Sequence, residues 1–292
     1  LRTAVIPDFP SCAAPTSCCR PIRAVLRAQM QPQQWRTRTP VGQSACTMAG
    51  STRFGRNHPP YSDTMTTNKL TCIADDLFCL DSSFAVWGCA GSLRMSVVRT
   101  PSGLVIYSPV ALDANRIADI KALGHVRAIV APNLYHHMFL RAAAVAFPDA
   151  DIFVPSGLED KIGPIQGAKT VADDGVPALP PELQHHTFTG HRIREISLFH
   201  TPSCTLITAD LIYNYQSEHF AAEKLFFRLM RIYGRPGVPF YHRFAIEDKA
   251  SVGQLINKVR SWPVRRIVPC HGRIIEGDSA GDVFVAAWKR FA

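Results

Sequence analysis

Four short stretches hold residue types able to bind or activate something. They are His136 and His137 in APNLYHHMFL, Cys204 in TPSCT, Asp210 in LITAD, and His271 in PCHG. Imidazole, thiolate and carboxylate are the donors that a catalytic zinc ion draws on, usually three from the protein with a fourth position left for water. One such ion could be assembled from His136 or His137, Asp210 and His271, with Cys204 as a thiolate fourth ligand. An ion there would make water a stronger acid and polarise an ester, thioester or phosphoester oxygen. Asp210 has a second possible role as the general base, if it hydrogen-bonds the water instead of binding the ion.

Each residue also has a plainer explanation. Neighbouring residues on a helix point about 100° apart, so His136 and His137 could not easily share one ion there, and one of them could simply cap or pack. His271 could be a turn histidine, and buried cysteines such as Cys204 and Cys270 are commonly inert. Asp210 is harder to dismiss. It ends a strongly apolar run, where an unpartnered carboxylate is costly.

The surrounding pattern predicts how these stretches are positioned. Strands are expected at 76–87, 93–100 and 104–110, the last two joined by the PSG turn as a hairpin. A helix follows at 113–123, capped by Asp113, with Ile117, Ile120 and Leu123 on one face. Then come a buried strand at 126–131, a helix from the His136-His137 pair to about Phe147, and a strand at 150–155. Residues 156–182 read as a loop, and His185, His186 and His191 as part of a polar connection. Further strands are expected at 193–200, 204–214 and 264–269, and helices at 219–234, 246–262 and 282–291. A hairpin followed by β-α alternation predicts an α/β protein with a mixed sheet covered by helices. In such sheets ligands gather beyond the carboxyl ends of strands. His136-His137, Asp210 and His271 each follow such an end.

Composition bounds the function. The chain has 292 residues, 47% hydrophobic and 19% charged, enough for a sizeable core, and no apolar stretch approaches the length of a membrane span. This predicts a soluble protein with no membrane partner. The net charge of +9 is concentrated at the start: residues 1–64 hold eight Arg, no Lys or Glu, and only Asp8 and Asp63. The body is nearly balanced and has no basic helix face or basic-aromatic stripe, so no nucleic-acid partner is expected. Nine scattered Cys, without a CxxC pair, do not form a disulfide framework and suit a reducing compartment. No Gly-rich phosphate loop follows a strand, so a flavin or nicotinamide role lacks support.

Residues 1–64 are rich in Pro, Arg, Ser, Thr and Gln without an apolar period, and are expected to be a disordered extension. They are either transit-like or the product of an over-extended reading frame whose true start is Met65. The expected location is cytoplasmic, with organelle import if the basic start is genuine. Residues 65–292 form the expected folded domain. Within it, the aromatic stretch 219–246 is placed to form a helical lid.

The order of motifs resembles the metallo-β-lactamase-like superfamily. RMSVVRTPSGLVIYSPV (94–110), APNLYHH and TLITADLIYN (205–214) are more closely similar to its uncharacterised DUF4336 branch. The resemblance covers roughly residues 70–290 and implies an αββα sandwich with a metal site at one edge of two sheets. It places His271 at the superfamily's last histidine and Asp210 at its metal-bridging aspartate. The HxHxDH motif is not matched: Asn133 or Tyr135 stands where histidines are expected, and Cys204 in TPSCT replaces another. His200 is wrongly spaced to substitute. The implied function is a mononuclear hydrolase of an ester-type bond in a small molecule, using one divalent metal, zinc or iron. The alternative is a degenerate, non-catalytic member serving as a binding or scaffold module. Substrate identity and oligomeric state are not readable.

Overall fold

The computed structural model describes residues 69–292 apart from 87–88, 172–178 and 217–220. The expected extension at 1–64, and part of the expected lid, lie outside the described residues.

Seven strands form one sheet in chain order: β1 (Thr71–Ala74), β2 (Leu77–Val86), β3 (Cys89–Thr100), β4 (Gly103–Tyr107), β5 (Val126–Val130), β6 (Asp151–Pro155) and β7 (Ala168–Val171). Neighbours are antiparallel from β1 to β4 and parallel from β4 to β7. Parallel neighbours need a crossover, usually a helix. The crossovers here carry α1 (Ala114–Leu123), α2 (Leu140–Ala146) and α3 (Leu158–Ile162). Asp113 caps α1 by accepting from Arg116 N at 2.8 Å.

A second sheet has the order β12-β11-β10-β9-β8, built from β8 (Leu183–Phe188), β9 (Glu195–His200), β10 (Thr205–Thr208), β11 (Arg266–Pro269) and β12 (Ile275–Glu276). Only β10 and β11 are parallel in it. Their connection carries α4 (Ala221–Leu229), a 3-10 helix (Phe240–Phe244) and α5 (Lys249–Arg260), and α6 (Ala280–Lys289) ends the fold.

Strand alternation explains how the two sheets are sandwiched between helices. In β4, Leu104 and Ile106 face an outer core shared with Ile120 of α1 and Leu140 of α2. Val105 and Tyr107 face inward, against Ile196 and Leu198 of β9 and Ile207 of β10. On the far side, Phe199 and Leu206 pack against Val252 and Leu255 of α5 and Phe284 and Trp288 of α6. The result is an αββα arrangement of three apolar layers. Both faces of each sheet are covered, which is why its strands read as apolar runs.

Three boundaries differ from the sequence pattern in ways that shape the site. The helix after APN begins at Leu140, not at His136-His137, because the Asn133 side-chain oxygen accepts from Tyr135 N (2.9 Å) and His136 N (3.0 Å) and holds the chain in a turn. The strand expected over 204–214 stops at Thr208: the next two amides, Ala209 N and Asp210 N, leave the sheet to donate to the Glu195 carboxylate. The supposed polar connection containing His185 and His186 is strand β8, an edge of the second sheet.

Candidate metal centre

His136, Asp210 and His271 meet where β5, β10 and β11 end, brought there by three separate loops. His136 Nε2 lies 3.1 Å from His271 Nε2 and 3.4 Å from Asp210 Oδ2, and His271 Nε2 is 3.2 Å from Asp210 Oδ1. A tetrahedral ion with bonds near 2.05 Å separates its donors by roughly 3.3 Å. The nearest atoms of the three side chains stand close to that spacing, His136 meeting one Asp210 oxygen and His271 the other. Two imidazole nitrogens this close need a shared proton or a cation between them, and a carboxylate beside both supplies the complementary charge. The residues fit a small divalent ion.

Surrounding contacts hold each donor in place. Ser108 Oγ is 2.9 Å from His136 Nδ1, leaving Nε2 turned toward the centre. Ser108 itself has a φ of 56°, an uncommon conformation for serine, enforced where β4 ends and Ser108 N donates to Val130 O. The His271 ring stacks on Tyr213 with centroids 5.1 Å apart and planes 3° from parallel. Asp210 accepts from Tyr213 OH at 2.5 Å on one oxygen and from Asn133 Nδ2 at 2.9 Å on the other. Burial opposes the Asp210 charge, but His136 and His271 outweigh it and hold the carboxyl well below the usual carboxylate range.

Behind these residues lies a carboxylate that sequence reasoning missed. Glu195, at the start of β9, is fully buried and accepts from Thr208 Oγ1 (2.5 Å), Ala209 N (2.7 Å), Asp210 N (2.7 Å) and Asn133 Nδ2 (3.0 Å). Burial and then the nearby Asp210 charge push its pKa up to about 7, against the pull of those hydrogen bonds. Glu195 therefore fixes the backbone that carries Asp210. Asn133, one of the two residues that could stand where the resemblance expects a histidine, links the two carboxylates.

Two sequence candidates are not part of the cluster. His137 is half-buried and turned toward Lys161; burial and then that ammonium lower its pKa. Cys204 packs in the outer core with Leu206 and Trp262. His200 is buried, its Nδ1 2.7 Å from Ser203 Oγ. His191 and His242, given little weight in the sequence, are buried in the wall of the cavity that opens onto the centre, with Tyr213 and Tyr241. Tyr241 and His242 belong to the 3-10 helix in the expected lid stretch, so part of that stretch does line the site.

Gly272 sets the approach of the His271 loop. Its φ is 81°, and an added Cβ would come within 2.3 Å of Asn214 O. Gly272→Ala is expected to destabilise the fold by about 2–4 kcal/mol. Denaturant unfolding checks this, and an unchanged midpoint would show that the loop can move aside.

Residues 74–158 match a family described as a domain of unknown function, DUF4336. No curated protein matches the chain in sequence. Solved structures share its fold. The DIM-1 metallo-β-lactamase exposed to ceftazidime has a TM-score of 0.55 at 11% identity, covering 79% of this chain and 100% of that one. FIM-1 from Pseudomonas aeruginosa in its mono-zinc form scores 0.50 at 13% identity, covering 76% and 95%. The rubredoxin oxygen:oxidoreductase of Desulfovibrio gigas scores 0.53 at 14% identity, covering 76% of this chain and 61% of that one. At such identities the likeness establishes the αββα fold alone.

Proposed function

Starting from a chain with the metallo-β-lactamase fold whose residues 74–158 match DUF4336, we propose that it is a mononuclear metal-dependent hydrolase of an ester-type bond in a small molecule. The observation carrying this reading is the cluster of His136, Asp210 and His271, whose nearest nitrogen and oxygen atoms lie 3.1–3.4 Å apart. Three protein ligands leave a fourth position open, as catalytic sites do and closed structural sites do not. Among the described residues this is the only group of donors so arranged, which favours one ion over two. One structural neighbour, FIM-1, is itself described in a mono-zinc form.

A divalent ion, zinc or alternatively iron, would supply Lewis acidity to a substrate oxygen and to water. The chain's residues do the rest. His136 and His271 present Nε2 toward the centre, Ser108 and Tyr213 fix their rings, and Tyr213 with Asn133 fixes Asp210. We assign Asp210 to ligation, because its two oxygens lie 3.4 and 3.2 Å from the Nε2 atoms of His136 and His271. The adjoining cavity brings the ester to the centre and limits the water that reaches it. Ester hydrolysis joins a water oxygen to the acyl carbon and breaks the bond from that carbon to the alkoxy oxygen.

The test is turnover of p-nitrophenyl acetate by the full chain after chelation and after adding back zinc or iron. Loss on chelation and recovery on reloading is the expected result. Turnover that ignores the metal would overturn the reading. Asn133 favours a second reading: with one of the two positions that could have carried a histidine serving as a structural tie, the site could hold metal for binding alone. Full metal occupancy with no turnover of any ester would select it. No helix among the described residues is long and apolar enough to cross a membrane.

A further inference from the structure

The cavity beside the centre measures about 470 Å³, within the range of pockets for small organic ligands. Its sides are Leu93, Pro109, Phe139 and Ile193, and its rim includes Tyr135 and Met138, 59% and 57% exposed. Large apolar side chains left in water at a cavity mouth are a feature to be explained, not a default.

The charges around it are more informative. Among the described residues no Lys or Arg lines the cavity itself; Lys161 comes near it, with its Nζ 4.3 Å from the Tyr135 ring at the rim. The cavity's one carboxylate, Asp210, is already engaged by Tyr213, Asn133 and two histidines. A charged group on a ligand, away from the centre, would lose its hydration there without a counter-ion. The polar part of the wall is neutral. His191 and His242 lie with ring centroids 5.0 Å apart and planes tilted by 36°, and burial pushes their pKa values down to about 4 and about 3.

We propose that this cavity takes an uncharged ester whose larger part is apolar. The ester rests on the hydrolase reading above; the uncharged, apolar character rests on the walls alone. In hydrolysis the alcohol leaves with one proton, and the acid formed releases another to solvent.

Binding and turnover test the two parts separately. The full chain, zinc-loaded, is titrated with neutral N-phenyl-1-naphthylamine and with its sulfonated relative 1-anilinonaphthalene-8-sulfonate. The neutral dye is expected to bind at least about tenfold more tightly, and Met138→Glu to weaken it about fivefold, as a charge set at an apolar rim should. In parallel, kcat/KM for p-nitrophenyl hexanoate is expected to exceed that for the anionic mono-p-nitrophenyl succinate by about tenfold. Tighter binding of the sulfonated dye, or no effect of Met138→Glu, would overturn the proposal. Turnover without preference between the two esters would also overturn it while leaving the hydrolase reading intact. Preference in binding without any turnover supports the ligand class and removes the hydrolase reading.

Discussion

Replacing Asp210 by alanine is expected to lower zinc affinity by more than about a hundredfold, since it removes a donor and not merely a group that orients one. The carboxylate sits between His136 and His271, 3.4 and 3.2 Å from their Nε2 atoms, and no other acid lines the cavity among the described residues. The fold should survive. Asp210 lies beyond the end of β10, outside the sheet hydrogen bonds, and Glu195 still receives the Ala209 and Asp210 amides. Asn133 keeps its bond to Glu195; only the Tyr213 hydroxyl loses its acceptor. Isothermal titration with zinc, alongside a thermal melt, separates loss of the ion from loss of the fold. Affinity within a few fold of the unaltered protein would remove Asp210 from the centre.

Replacing Glu195 by alanine should do the opposite: the fold suffers first. Four donors converge on this carboxylate, two of them backbone amides and all of them buried. Truncation leaves three of them without an acceptor, Asn133 keeping Asp210, at an expected cost of about 3–5 kcal/mol. Glu195→Gln is the sharper variant, because its shape is preserved while half its acceptors become donors. One amide oxygen can still serve two of the four groups, so a smaller loss of about 2 kcal/mol is expected. Guanidinium unfolding measures both. A loss below about 1 kcal/mol for Glu195→Ala would mean that the network reorganises around water.

These two carboxylates show what a sequence reveals and what it conceals. Asp210 could be found because it ends an apolar strand, where a charge needs a reason. His136 and His271 could be found because each follows such a strand, and parallel strands bring their carboxyl ends to one edge. The β-α repeat from β4 to β6 likewise led to a covered sheet, and the structure has it, whereas α3 and β7 stand where a loop was expected over 156–182. Glu195 breaks the same rule as Asp210, inside IREISLFH, but its partners are amides from a different strand, and no periodicity reports such a pairing. His191 and His242 meet only because a loop and a 3-10 helix fold together. The choice of His136 over His137 depends on a turn that Asn133 imposes through its side-chain oxygen. Asn133 read as a missing ligand in the resemblance. In the structure it also ties Glu195 to Asp210.

The whole account depends on one ion held by three residues, and metal content tests that most directly. Purified protein grown and supplemented with zinc and iron is to be analysed by inductively coupled plasma mass spectrometry, with His271→Ala as the comparison. The account predicts roughly one equivalent of a single transition metal in the unaltered chain, as three donors and one open position require, and its loss in the variant. Less than about 0.2 equivalents of any such metal in the unaltered chain would contradict it.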